Sequence, residues 1–271
     1  MGKVKIKKKS TLIDMTAMSD VTVLLLTFFM LTSTFLEKEP TTVQTPSSVS
    51  VEAVPAKDLV TVLVSSEDQT GKLSDPTAVE GRIFISFKGD SMISSEVLRE
   101  EVLKKAISIY NDQRKNKLPA PTTAQMNAFK KMTMFGMPFT QLYKVLDMDP
   151  TEREKFMSDL TNPLVGIPIN DNKEPSRNLN DFQIWMQALK LVAQETRDKK
   201  MESLAAEGNT DENAIREADI LYNNLMQGRS ISVKADRYTP FKVVHRVFDN
   251  LQTMSLNKFT LMTNLKNESG R

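Results

Sequence analysis

From Val21 to Leu36 no residue of the chain carries a charge, and this apolar run is headed by Asp20 and preceded by Lys3, Lys5, Lys7, Lys8 and Lys9. Such a run limits what the chain can fold into more than any other feature, because it reads as a helix bound for lipid. Under the positive-inside rule the lysine end stays cytoplasmic, and everything from about residue 37 onward lies on the far side. The uncharged stretch by itself is about 16 residues, or roughly 24 Å of helix, shorter than the ~30 Å hydrocarbon core. Extension back to Met15 gives about 22 residues and roughly 33 Å, which spans and carries Asp20 along.

A carboxylate well inside a bilayer costs on the order of 2.5 to 3.5 kcal/mol, so such residues face a protein partner or a water-filled cavity. Removal from water also favours the neutral form of any carboxylate. At about 100° per residue, Thr16, Thr27 and Thr34 fall within roughly 40° of Asp20, whereas Thr22 points the other way. The result is a polar stripe headed by an acid, suited to a bundle of other helices. Two plainer readings stand beside this one: Asp20 as an N-cap at the interface, and the segment as a cleaved signal peptide. Asp14 reads as a helix cap.

Composition narrows the remaining chemistry. The 271 residues are 40% hydrophobic and 26% charged with a formal net charge of +2, which suits one folded domain with appendages and offers no basic surface for nucleic acid. With no cysteine, disulfides and thiolate chemistry are excluded. No phosphate-binding glycine loop, zinc spacing, calcium loop or nucleophile elbow occurs, so neither an enzyme nor a cofactor is expected. His245, the sole histidine, reads as structural or surface. The 16 methionines read as core and membrane filler, with Met126, Met132, Met134 and Met137 as candidates for an adaptable contact surface.

Beyond the apolar run, residues 40–57 are rich in Pro, Ser, Thr and Val and read as an extended tether. Strands are predicted from Leu59 and from Arg82, then a helix near 94–110 with Leu98, Val102, Ala106 and Ile109 on one face. In the carboxy-terminal part "SISVKAD" is a strand and Thr239–Pro240 an N-cap and N1 pair. A helix carrying Phe241, Val244, Phe248 and Leu251 follows, and "KFTLMTNL" closes as a strand. Residues 111–228 between them are helical in pattern. Helices are expected at Thr122–Met134, after Asp149 with Pro150 at N1 and Glu152 completing a capping box, after Asn180 with Phe182, Trp185, Leu189 and Val192 on one face, and from Thr210 to Gly228.

Asp14, Met15, Thr16, Ala17, Met18, Ser19 and Asp20, followed by Leu24, Leu25, Leu26, Phe28, Phe29 and Met30, resemble the signature of the ExbD/TolR family of biopolymer transport proteins. Asp20 takes the place of the family's proton-carrying aspartate and Thr16 that of its threonine, while Ala17 stands for the usual proline and Asp14 for the usual asparagine. The stretch "SVKADRYTPFKVVHRVFDNLQ" is similar to the family's strand, loop and second helix. The resemblance implies an α+β protein: a cytoplasmic basic tail (1–12), a single transmembrane helix (13–36), a flexible periplasmic tether (37–57), and a small two-layer α/β domain of ββαβαβ order. That domain is split into 58–110 and 229–271 by a mostly α-helical insertion at 111–228.

It also implies a function. The chain would be a single-pass protein of the Gram-negative inner membrane, working in an energy-transducing complex driven by the proton-motive force. Asp20 would carry protons, with Thr16, Thr27 and Thr34 as polar support. The expected partners are an ExbB/TolQ-like ring protein enclosing two copies of the helix, membrane lipid, and a TonB-like periplasmic protein. The alternative is a membrane-anchored envelope scaffold or peptidoglycan-binding protein whose helix only tethers.

Overall fold

The structure, a computed structural model, describes residues 15–32, 39–41, 43–48, 60–66, 81–89, 93–171, 178–208, 211–227, 229–262 and 264–265. It divides into two units, Met1–Glu37 and Lys38–Arg271. The first holds one helix, α1 (Met15–Thr32). At about 1.5 Å per residue, its 18 residues measure about 27 Å, less than the ~30 Å of a hydrocarbon core. A single transmembrane helix is expected over 13–36; among the described residues no helix is long and apolar enough to cross a membrane. Residues 13, 14 and 33–36 lie outside the described residues.

The second unit is organised by strands β2 (Val60–Ser66), β3 (Gly81–Phe87), β4 (Ile231–Ala235) and β5 (Thr260–Met262), in the order β3-β2-β4-β5. β2 runs antiparallel to β3 and parallel to β4, and β4 runs parallel to β5. The register aligns Val62 with Ile85 and Val233, and Val64 with Ile83 and Ala235. Since alternate residues share a face, Val60, Val62, Val64, Gly81, Ile83, Ile85 and Phe87 form one side of the sheet. Helix α8 (Phe241–Thr253) lies on it: a Cβ at Gly81 would stand 2.1 Å from Val243 Cγ1.

The opposite side carries Leu63, Ser65, Arg82, Phe84, Ser86 and Ser232, and these are buried as well. A two-layer domain leaves that face to water; here the chain after α2 (Ser95–Gln113) and α3 (Thr123–Lys131) covers it. Gly136 lies so close that a Cβ there would meet Phe84 Cδ1 at 2.3 Å and the Ile83 carbonyl oxygen at 2.8 Å. The Ser86 hydroxyl donates to the Thr133 carbonyl at 2.6 Å, and Arg82 Nε donates to the Leu160 carbonyl at 3.0 Å. The free edge of β3 is taken by the same chain: the Ile85 and Phe135 backbones exchange hydrogen bonds of 2.8 and 3.0 Å, and the Ile167 N–H donates to the Ile83 carbonyl at 2.8 Å. Met132, Met134 and Met137 are buried in this covering, which removes them as a contact surface.

Two short helices, α4 (Leu142–Asp147) and α5 (Pro150–Ser158), precede the 26-residue α6 (Asp181–Ala206), which packs on α2 and on α7 (Glu212–Met226). Asn180 caps α6 in a reciprocal box with Gln183, and Phe182, Trp185, Leu189 and Val192 are buried as their spacing predicts. Trp185 binds the fold together. Its ring is near-parallel to Phe129 at 5.6 Å and to Phe139 at 4.9 Å, and tilted against Phe135 at 4.7 Å and Phe87 at 6.4 Å. Residues of the sheet, α2, α6, α8 and the 129–167 covering thus share one hydrophobic cluster.

Several expected boundaries shift for identifiable reasons. The helix predicted over Thr122–Met134 stops at Lys131 because the chain turns extended to pair with β3. Asp149 makes no side-chain cap at α5, so the expected capping box is absent; its charge acts on Arg153 instead. Thr239 does not cap α8, which begins at Phe241 with Pro240 in the N-cap position; its hydroxyl donates to the Val64 carbonyl at 3.4 Å. Asp211 rather than Thr210 caps α7, and Gly228 lies outside the described residues. The expected flexible tether is partly docked. Glu39 pairs with Lys234 at 2.7 Å, the Gln44 N–H donates to Asp236 Oδ1 at 3.0 Å, and β1 (Ser47–Ser48) pairs in parallel with β6 (Asn264–Leu265).

Trp185→Ala should lower stability by about 3–5 kcal/mol. Chemical denaturation should show sheet and helices lost in a single transition, since they share one core. Gly136→Ala should cost about 1–3 kcal/mol in the same assay, because the buried Phe84 ring and the Ile83 carbonyl both block the added methyl. Glu100 supplies a pH dependence: hydrogen bonds from Lys104 and Lys130 hold its carboxyl down to about 2 from an ordinary 4.5. A depressed carboxyl contributes stability that is complete above its unfolded value and disappears as pH falls through the folded one. Denaturation midpoints followed from about pH 5 to about pH 2 should fall less steeply in Glu100→Gln than in the parent.

Candidate functional site

Of the residues singled out for function, Thr16, Asp20 and Thr27 lie in α1. Its described large apolar side chains from Met15 to Leu31 are 56% to 87% exposed. An apolar surface of this extent marks contact with protein or membrane. Hydroxyl groups that would otherwise be a burden there are satisfied by the helix itself. Ser19 donates to the Met15 carbonyl, Thr22 to Met18, Thr27 to Leu24 and Thr32 to Phe28. This back-bonding closes the donor of each hydroxyl and leaves only acceptor capacity.

Asp20 is the exception. It is exposed, and among the described residues no group bonds its carboxylate. Thr27 shares its face two turns further on, a rise of about 10 Å, which is too far for a direct hydrogen bond. Any help Thr27 gives Asp20 therefore runs through an intermediary, accepted by an oxygen whose proton already points to Leu24. Thr16 lies within α1 one turn before Asp20, its side chain beyond what is described, and Thr34 lies outside the described residues. The back-bonding at Ser19, Thr22 and Thr32 escaped the stripe analysis. Its signal was local: a Ser or Thr three or four residues after a helical carbonyl.

The second unit offers titratable groups with structural explanations. Asp181 is pushed up by burial, moderated by the Phe139 N–H donating at 3.0 Å and by Arg114. Lys190 is pushed down by burial and donates to the Met254 carbonyl at 3.0 Å, closing the end of α8. Asn180 Nδ2 donates to Asn250 Oδ1 at 2.7 Å, and Asn250 Nδ2 to the Asn170 carbonyl at 2.9 Å, which ties α6 to α8. His245 is a surface residue with Nδ1 3.0 Å from Asp249. Among the described residues no group of acidic, His or Cys side chains could hold a metal.

Comparison with known proteins bears on the chain's first half. A family model described as biopolymer transport protein ExbD/TolR matches residues 7–135. The match takes in α1, the tether, β2, β3, α2 and α3, and stops at the residue that pairs with β3, so the likeness of the α8 region rests on its residues alone. No curated protein and no solved structure matches the chain significantly. An exposed apolar helix bearing one acid without a partner among the described residues, followed by a strand-strand-helix unit, falls within this match, so residues 7–135 are ExbD/TolR-like.

Proposed function

We propose that the protein is a membrane component of an energy-transducing complex, in which Asp20 takes up and releases protons moving down the proton-motive force. The observation that carries this reading is α1 itself: a helix exposed all round, apolar except for a single carboxylate without a partner among the described residues, in a region matched by the ExbD/TolR family. A helix enclosed by partner helices need not meet the length and hydropathy required of a lone span, because protein covers its polar face. The partner is then an ExbB/TolQ-like ring of helices around two copies of α1, in a Gram-negative inner membrane with the domain on the periplasmic side.

The magnitudes agree. One charge moved through about 100 mV releases roughly 2.3 kcal/mol, comparable with the penalty of holding a bare carboxylate in lipid. Protonation of Asp20 is thus sufficient to change which contacts the helix prefers, with Thr16, Thr27 and Thr34 as the polar side of the path. The domain passes this motion to a TonB-like partner that drives outer-membrane transport.

Asp20→Asn keeps the shape and removes the charge. It should assemble at parental levels and lower energy-dependent uptake by at least about tenfold; unimpaired uptake would remove the proton-carrying role. Replacing residues 15–32 with an inert leucine helix separates this reading from a scaffold whose helix only tethers. The scaffold keeps its function after that exchange, and the energy transducer loses it.

A further inference from the structure

In the unit Lys38–Arg271, Phe241 stands out at 70% exposure, with Tyr238 three residues earlier at 39%. A Phe ring offers a large apolar area for burial, and a ring left in water at the start of a helix is an available anchor. Its surroundings carry a charge pattern. The stretch Arg237–Arg246, "RYTPFKVVHR", contains no carboxylate. The Arg237 guanidinium lies 5.9 Å from the Tyr238 ring centre, and the His245 ring lies 5.7 Å from Phe241. Lys242 has no ion-pair partner among the described residues, whereas Arg246 is held by Asp171 at 2.8 Å. From Phe241 and Lys242 a groove of about 490 Å³ runs along α8, past His245 and Arg246 to Asp249, with Asp171 also in its lining.

Charge is therefore graded along the groove: Lys242 lies beside the aromatic anchor, Arg237 precedes the anchor by four residues outside the lining, and Asp249 stands about two helical turns beyond it. We propose that this groove docks an extended, acidic segment of a partner protein. Its carboxylates meet Arg237 and Lys242, an apolar side chain covers Phe241, and its neutral or basic end lies toward Asp249 and Asp171. An anionic lipid surface fits less well, because Asp171 and Asp249 would face the same headgroups that Lys242 attracts. The inference rests on the reading of the domain as the part that engages a partner protein.

The test is photo-crosslinking in living cells with the full chain. Benzoylphenylalanine replaces Phe241, or, as a control, Val97 on α2, and the captured peptide is sequenced by mass spectrometry. The expected result is an adduct at 241 to a segment of another protein with net negative charge. Its yield should fall about tenfold in Arg237→Glu/Lys242→Glu, fall by a smaller factor in Lys242→Glu alone, and rise in Asp249→Asn. Thermal unfolding of each purified variant confirms that these surface changes leave the fold intact. The proposal is overturned by adducts to lipid, to a second copy of this chain, or to a neutral or basic segment. An acidic adduct indifferent to charge reversal, or no adduct above the Val97 control, overturns it equally. Asp20→Asn in the same cells keeps the two readings apart. Persisting uptake there removes the proton role while the 241 adduct stands, and absent uptake with no adduct removes the groove while the proton role stands.

Discussion

The pairing of Phe135 with Ile85, backed by the aromatic cluster around Trp185, is the contact on which the domain depends. β3 is an edge strand, and an open edge is a template for unwanted pairing. Here that edge is taken by the chain that follows α3, and the same segment then lies over Phe84 on the second face of the sheet. A layer that would otherwise be wet becomes interior, which is why Arg82 through Phe87 are buried without alternation. Trp185 holds the arrangement from behind, touching rings contributed by β3, α3 and the covering chain. Among the described residues its indole N–H has no hydrogen-bond partner, so apolar burial and ring geometry carry the contact.

Buried polar groups serve the same end. Arg99 donates from Nε to the Phe87 carbonyl at 3.0 Å and from Nη1 to the Lys130 carbonyl at 2.8 Å, joining the end of β3 to the end of α3. Arg153 gathers the carbonyls of Val145, Leu146 and Met148 at the close of α4. Irregular backbone inside a protein needs donors for its carbonyls, and a guanidinium supplies several from one side chain. The asparagines at 170, 180 and 250 do this between α6 and α8. The long helical stretch is thus bound into the sheet and both flanking helices, not hung beside them.

The two units solve opposite problems. The domain hides nearly every large apolar side chain, while α1 exposes all of its described ones. The hydroxyls of Ser19, Thr22, Thr27 and Thr32 are satisfied by carbonyls of the helix itself. A carboxylate on an apolar helix is costly wherever the helix meets lipid.

Local signals in the sequence foretold much of this. The acid at the head of an apolar run, the spacing of Phe182, Trp185, Leu189 and Val192, and the strands at 60–66 and 81–87 each depend on neighbours within a turn or a pleat. The family likeness of residues 14–30 was likewise a matter of short spacing. Caps were less legible: Thr239 has an ideal composition for one, yet its hydroxyl goes to a carbonyl 175 residues away. Only the tertiary structure decided that the helical stretch would cover a sheet face, that residues 39–48 of the tether would dock, and that Met132, Met134 and Met137 would be core. Each of these depends on which distant surface meets the segment, and periodicity records which side of an element is apolar without recording what will cover it.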